Sequence, residues 1–234
     1  MEYDLQLVKQ AKPDNAYLRF YGWKPYCISL GANQSINEIK TEKASLDNID
    51  IVKRPTGGRA ILHAEELTYS VILPNVKSIS GREVYENISN AIVTGLRFFD
   101  NNLNAVMLES EQPEFNKLLK QPSGALCFAS TAKSEIKFKG KKLVGSAQRR
   151  IGDSLLQHGS ILIGKYHQQL VNYLNVNSKT ELSNLSIELN NKTTELETIL
   201  NRNIVLNELQ DSIIEGFKSY LDIKLYNPIP QTSF

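Results

Sequence analysis

KRPTGGRAILHAEELTYSVILP, residues 53–74, is the most unusual local text in the chain. Gly57 and Gly58 follow Pro55-Thr56, and glycine both adopts backbone angles closed to other residues and lets a ligand approach the main chain. Arg54 and Arg59 flank the pair with fixed positive charge. The pattern reads as a binding loop, with a plain Gly-Gly turn carrying solvated arginines as the alternative. It is not a phosphate-binding P-loop, because no Gly-Lys-Ser/Thr follows, and not a dinucleotide fingerprint, because G-x-G-x-x-G is missing. His63 closes the loop and is a candidate pocket residue.

On the N-terminal side, AYLRFYGW (16–23) and YCISLG (26–31) are rich in aromatic and β-branched residues, and Lys24-Pro25 separates them as a tight break between two strands. On the C-terminal side the period changes at Ser80. Ser-Gly-Arg-Glu has the form of a capping box, and Val84, Ile88, Ala91, Ile92, Gly95 and Phe99 then share one helical face. EIKFKGKKLVGSA (135–147) alternates on both sides of Lys139-Gly140, a hairpin in which a two-residue turn pairs Lys137 with Lys142. SLLQHGSILIG (154–164) reads as an interior strand. Beyond about residue 176 the text becomes polar and Asn-rich, yet Leu206, Leu209, Ile213, Phe217 and Tyr220 form an amphipathic stripe. These elements predict an α+β fold with a mixed or antiparallel sheet flanked by helices. The expected organisation is a single domain over 1–234, with a core of about 1–176 and a short helical C-terminal extension over about 177–226.

The 234 residues are 41% hydrophobic, enough for one good core. Lys+Arg 27 against Asp+Glu 25 leaves a formal charge of +2, which supplies no general drive towards nucleic acid or an anionic membrane. No run of eighteen apolar residues occurs, and MEYDLQLVKQ lacks the basic and apolar regions of a secretory leader, so a cytoplasmic protein is expected. Cys27 and Cys127 lie far apart without C-x-x-C spacing, and His63, His158 and His167 add no metal-ligand pattern, so no metal is expected. Each cysteine is therefore a small buried hydrophobe or a reactive thiol. Lys137, Lys139, Lys141 and Lys142 read as solvated hairpin charges on spacing alone, and Arg149 and Arg150 face either an acidic partner or water.

Taken in order, RPTGGRAILH, ALCF, GKKLVGSAQRR and LLQHGSILIG, with LRFYGWKPYCISLGANQ ahead of them, resemble the lipoyl/octanoyl transferase and lipoate-protein ligase family, whose catalytic domain is related to that of biotin-protein ligases. The resemblance runs from about residue 3 to about 225. Lipoate ligases usually carry a third glycine where this chain has Arg59, a His-Asp-x-Gly-Asn where it has His63-Ala64-Glu65-Glu66-Leu67, and an Asn-Asp pair where it has Cys127-Phe128. GGRA, ELTYS and a cysteine followed by Phe are instead the usual readings of the octanoyltransferases typical of Gram-positive bacteria. Ala129 stands where those relatives commonly have an aspartate one residue further on from Phe128.

What the resemblance implies is octanoyl transfer from acyl carrier protein to a lysine of a lipoyl domain, such as glycine cleavage H protein or a 2-oxoacid dehydrogenase E2, without a cofactor. It makes Cys127 the acyl-thioester nucleophile and Lys142, in the Lys-x-x-Gly text, its cationic partner. Arg54, Gly57, Gly58, Arg59, His63, Gly145, Ser146, Ala147 and His158 become substrate-binding residues, although a histidine within an apolar strand is commonly a hydrogen-bonded structural residue. The alternatives are an amidotransferase acting between lipoyl domains, an ATP-dependent lipoate ligase, and a non-catalytic acyl-carrier binding module.

Overall fold

The computed structural model describes residues 2–109, 135–176 and 178–225. Strand β1 (Tyr17–Tyr21) and strand β2 (Cys27–Leu30) part company at the cis Lys24–Pro25 bond and enter different sheets. Helix α1 (Glu2–Gln10) precedes them, and helix α2 (Thr41–Leu46) leads into β3 (Asp50–Lys53), β4 (Ile61–His63) and β5 (Glu66–Leu73). Then come helix α3 (Gly81–Phe99) and strands β6 (Val106–Glu109), β7 (Glu135–Phe138), β8 (Lys141–Ile151) and β9 (Ser154–Leu162). The last elements are helices α4 (Lys179–Lys192), α5 (Leu196–Leu200) and α6 (Leu206–Leu221).

The larger sheet has six strands in the order β1-β5-β9-β8-β7-β6, antiparallel throughout. The smaller sheet runs β3-β2-β4, with β2 parallel to β3 and antiparallel to β4. The α+β reading holds, and so does the interior place of 154–164. Strand β9 lies between β5 and β8, and its two faces feed two apolar clusters: Ile161 joins the core under α3, and Leu162 joins the core around the small sheet. A strand covered on both faces has no position for a solvated side chain; Leu155, Leu156, Ile161 and Leu162 enter the cores, and the polar Gln157, His158 and Ser160 are buried with hydrogen-bond partners.

Helix α3 buries Val84, Ile88, Ala91, Ile92, Gly95 and Leu96, close to the predicted face. Ser80 stands at its N-cap, but its hydroxyl makes no capping bond; the first turn is closed by Val84 N–H on the Ser80 carbonyl instead. The predicted box is thus unformed, and a complete one occurs at Ser35 and Glu38, ahead of a short 3₁₀ turn. Helix α6 packs across α3 with Leu209, Ile213 and Phe217 buried, while Leu206 and Tyr220 at the ends of the stripe stay exposed. Each such buried side chain contributes about 1.5–3 kcal/mol. The crossing brings backbones together, since a Cβ on Gly95 would lie 2.6 Å from Ile213 Cα and one on Gly216 would lie 2.3 Å from Gly95 N.

The C-terminal helices serve both clusters: α6 packs with α3, and α4 sends Leu185 and Leu189 into the core of the small sheet. Helix α1 is latched at the other end. Buried Asp4 accepts hydrogen bonds from Arg19 and from the hydroxyls of Tyr21 and Ser70, 3.3 and 2.8 Å away.

Candidate active site

The glycine loop is organised from inside. Its backbone is zipped to the turn after β2 by Arg54 N–H on Leu30 O and Ala32 N–H on Thr56 O, each 2.9 Å. The Arg54 guanidinium donates to the carbonyls of Ser29 (2.8 Å), Gly57 (3.0 and 3.2 Å) and Arg59 (2.6 Å) and to Ser29 Oγ (3.1 Å). Arg54 is thus not solvated, as the alternative reading of the loop had it; it is buried, because the loop's inward carbonyls need a donor with several N–H groups. The loop also rests against Gly31, where a Cβ would fall 1.9 Å from the Gly58 carbonyl oxygen. Gly57 and Gly58 lie at the surface, and Arg59 is half-buried.

Strand β4 delivers His63 to the junction of the two sheets. Its Nε2 lies 2.7 Å from Ser29 Oγ and its Nδ1 2.7 Å from Glu66 Oε1. Thr68 Oγ1 (2.5 Å) and Ser160 Oγ (2.7 Å) donate to the same Glu66 oxygen. Trp23 covers this group: its ring stacks on His63 at 4.5 Å and 17°, and its Nε1 donates to Thr68 Oγ1 at 2.8 Å. Burial by itself would raise the Glu66 carboxyl, but His63 and the two hydroxyls more than offset it and hold the group below the ordinary carboxylate range. His158, from β9, bonds Thr56 Oγ1 through Nε2 at 2.7 Å. Its burial lowers it from 6.5 to about 4, so it is neutral at pH 7.

These residues line a pocket at the junction of the two sheets. One wall is Gly145, Ser146 and Ala147 of β8; the facing side brings Trp23, Arg54 and His63, and His158 is also on the lining. Of the sequence-predicted binding residues, Arg54, His63, Gly145, Ser146, Ala147 and His158 meet here. Gly57, Gly58 and Arg59 do not line the pocket; the carbonyls of Gly57 and Arg59 instead hold Arg54, which does. Cys127 lies outside the described residues.

Lys142 reaches the pocket side of the sheet through an irregularity. The hairpin register runs Phe138↔Lys141 and Lys137↔Lys142, the predicted pair, and then jumps to Ile136↔Val144. Leu143 is therefore an extra residue, and such a bulge resets which face the following side chains occupy. Leu143 and Val144 both enter the core under α3, leaving Lys142 and Lys137 on the opposite face, the face that Gly145 and Ala147 share. The Lys142 Nζ lies 2.6 Å from Glu135 Oε1. The segment after α4 fixes the main chain here: Lys142 bridges Thr193, and Thr194 N–H donates to the Lys142 carbonyl at 3.0 Å. Lys139 and Lys141 stay exposed at the turn, but Lys137 is buried, contrary to its reading as a solvated charge, because the sheet face on which it sits is covered. Arg149 and Arg150 brace backbone carbonyls, Arg149 that of Pro55 and Arg150 those of Val76 (2.8 Å) and Ile79 (3.0 Å).

Residues 1–218 match the model of the lipoyl protein ligase A/B catalytic domain. Octanoyltransferase LipM of Anoxybacillus flavithermus is 34% identical over 212 residues, covering 89% of this chain and 76% of the relative. The Bacillus subtilis protein of the same name is 33% identical over 213 residues, with the same coverage. The chain belongs to the lipoyl protein ligase A/B catalytic domain family.

The solved structures agree on the fold of this lipoyl protein ligase A/B domain. A bipartite lipoate protein ligase from Thermoplasma acidophilum superposes with a TM-score of 0.76 at 18% identity, covering 98% of this chain and 81% of that one. Lipoate-protein ligase A bound with ATP gives 0.74 at 18% identity, with 98% and 83% covered. Several residues at or beside the pocket escaped the sequence reading. Glu66, Thr68 and Ser160 carry only an alternating strand pattern in sequence, and Ser160 reaches Glu66 only through the β5–β9 pairing; Glu135 reads as the polar start of a hairpin, and its ion pair with Lys142 follows from the register of that hairpin. The other cysteine, Cys27, is buried between Asp50 and His63 in the small sheet. Burial, with the Asp50 charge, pushes its thiol up to about 12, so it is an inert core residue.

Proposed function

We propose that this chain carries out octanoyl transfer through an acyl-thioester on Cys127, taking the acyl group from acyl carrier protein and giving it to a lysine of a lipoyl domain such as glycine cleavage H protein or an E2 subunit. Octanoyl transfer in protein lipoylation is the activity of its relatives in Gram-positive bacteria. The observation that carries the cysteine route is the placement of Lys142. A buried ammonium, aimed by a bulge onto the pocket face and anchored at 2.6 Å, is the kind of fixed cation that a thiolate needs.

In the first step the Cys127 thiolate attacks the donor's thioester carbonyl. A tetrahedral oxyanion forms, the carbon–sulfur bond to the phosphopantetheine arm breaks, and the departing thiolate takes up a proton. In the second step the acceptor lysine, as free amine, attacks acyl-Cys127; the carbon–nitrogen bond forms, the Cys127 sulfur leaves, and the amine's proton passes to the site. Gly145, Ser146 and Ala147 lie on the pocket wall; a main-chain N–H of this stretch aimed at the acyl carbonyl would lower the cost of the oxyanion. A thioester is already activated, so the route runs without ATP.

The test is incubation with octanoyl-loaded acyl carrier protein in the absence of ATP, followed by intact-mass measurement of wild type and Cys127→Ala. An octanoyl adduct on wild type alone supports the route. Absence of the adduct, with amide formed only when octanoate and ATP are supplied, overturns it in favour of ligation. Replacing the carrier by an octanoylated lipoyl domain as donor separates transfer from carrier protein and amidotransfer between lipoyl domains.

A further inference from the structure

On the pocket face of β6, β7 and β8 lie four charged side chains, two of each sign. Glu109 and Glu135 are direct register partners across β6 and β7, and Lys137 and Lys142 are direct register partners across β7 and β8. Like charges therefore stand opposite each other, an unfavourable arrangement taken pair by pair. The diagonals resolve it: Lys137 Nζ meets Glu109 Oε2 at 3.1 Å, and Lys142 Nζ meets Glu135 Oε1 at 2.6 Å. Three of the four side chains are at most 7% exposed and Glu109 is 28% exposed. Burying four charges is costly, and the quartet is tolerated because each ammonium has a carboxylate.

We infer that Lys137 is a positioning residue for acyl transfer, acting through Lys142 by keeping Glu109 occupied. The inference rests on the acyl-transfer reading given above. Sheet order supplies the reason: the pocket is lined by β8, β9 and β5, whereas Glu109 sits on β6, beyond β7 and on the far side from the pocket. With Lys137 in place, Glu109 is neutralised and Lys142 stays on Glu135. Without it, Glu109 becomes a second carboxylate competing for the Lys142 ammonium, and its pull is directed away from the pocket wall at Gly145. Lys137 needs no contact with substrate for this. Its side chain must carry charge and must reach Glu109, so arginine can substitute for it and methionine cannot.

The experiment is single-turnover acylation of Cys127 by octanoyl-carrier protein in wild type, Lys137→Met and Lys137→Arg, with the concentration dependence on carrier measured for each. Glu109 is partly exposed and can be solvated once its partner is gone, which keeps Lys137→Met foldable; thermal unfolding checks this. The expected result is a fall of about tenfold or more in the limiting rate for Lys137→Met, as for loss of a coupled neighbour, with half-saturation unchanged. Lys137→Arg is expected to recover most of the rate. Adding Glu109→Gln to Lys137→Met removes the competing carboxylate and is expected to restore the rate as well, which a merely structural loss would not allow. An unchanged limiting rate in Lys137→Met, or no recovery in the double variant, overturns the inference. If wild type itself fails to become acylated, the function reading fails instead.

Discussion

Lys142 and Glu135 meet at 2.6 Å with both side chains about 6% exposed, across a strand pair whose register slips by one residue beside them. A lysine buried to this degree is held by its carboxylate, and breaking a buried ion pair is costly. Lys142→Met is expected to lower single-turnover acylation by about 10²–10⁴-fold, the usual contribution of a positioned charged or proton-transferring group. Lys142→Arg keeps the charge but not the point-like geometry and should recover only part of that loss. Rapid-quench measurement of acyl-enzyme formation checks both.

The bulge makes a separate prediction. Deleting Leu143 removes the extra residue and puts Lys142 directly before Val144, so simple alternation keeps Lys142 on the face opposite Val144, the pocket face. Folded protein carrying the deletion should therefore acylate faster than Lys142→Met. A rate as low as that of Lys142→Met would show that the bulge itself, and not the face alone, positions the lysine.

Acid stability should follow His158. Its folded value, about 4, lies below the ordinary 6.5, so between these pH values the unfolded chain binds a proton that the folded chain refuses. Stability is therefore lost as pH falls from 6.5 towards 4, by an amount on the order of 3 kcal/mol at the lower end. His158→Gln keeps a polar partner for Thr56 and should flatten this part of the profile. Denaturant titrations at pH 7, 6, 5 and 4.5 check the slope; an unchanged slope in the variant would assign it to other groups, His167 among them, which burial also lowers.

Gly216→Ala should destabilise without touching the chemistry. The added Cβ would meet Gly95 N at 2.3 Å and Ala91 O at 2.5 Å, so α3 and α6 must separate. Overpacking of this kind costs about 1–3 kcal/mol. Thermal unfolding should move accordingly, with the acylation rate per folded molecule unchanged.

The elements legible in the sequence were those with a local signal: the α3 face, the interior strand β9, and the hairpin in which the Lys139-Gly140 turn fixes Lys137 against Lys142. The pocket histidines, Arg54 and the Gly145–Ala147 wall were also foreseeable from motif text. Burial of charge was not. Arg54 and Lys137 look solvated in sequence because their carbonyl and carboxylate partners arrive from other strands. The unformed capping box at Ser80 has a different cause: S-x-x-E marks a helix start, but whether the hydroxyl turns inward depends on the entering chain. The split of the C-terminal helices between two cores, and the hold of Thr194 on Lys142, are likewise tertiary facts without a sequence signature.

Kinetic competence of the acyl-enzyme tests the central claim most directly. Octanoyl-loaded carrier protein is mixed with the enzyme, the reaction is chased with apo lipoyl domain, and the peptide containing residue 127 is followed by mass spectrometry through the time course. The account predicts octanoyl on Cys127 before any amide product appears, and its disappearance at the rate at which octanoyl-lysine forms. Amide product accumulating while Cys127 stays unmodified, or at an undiminished rate in Cys127→Ala, would contradict it.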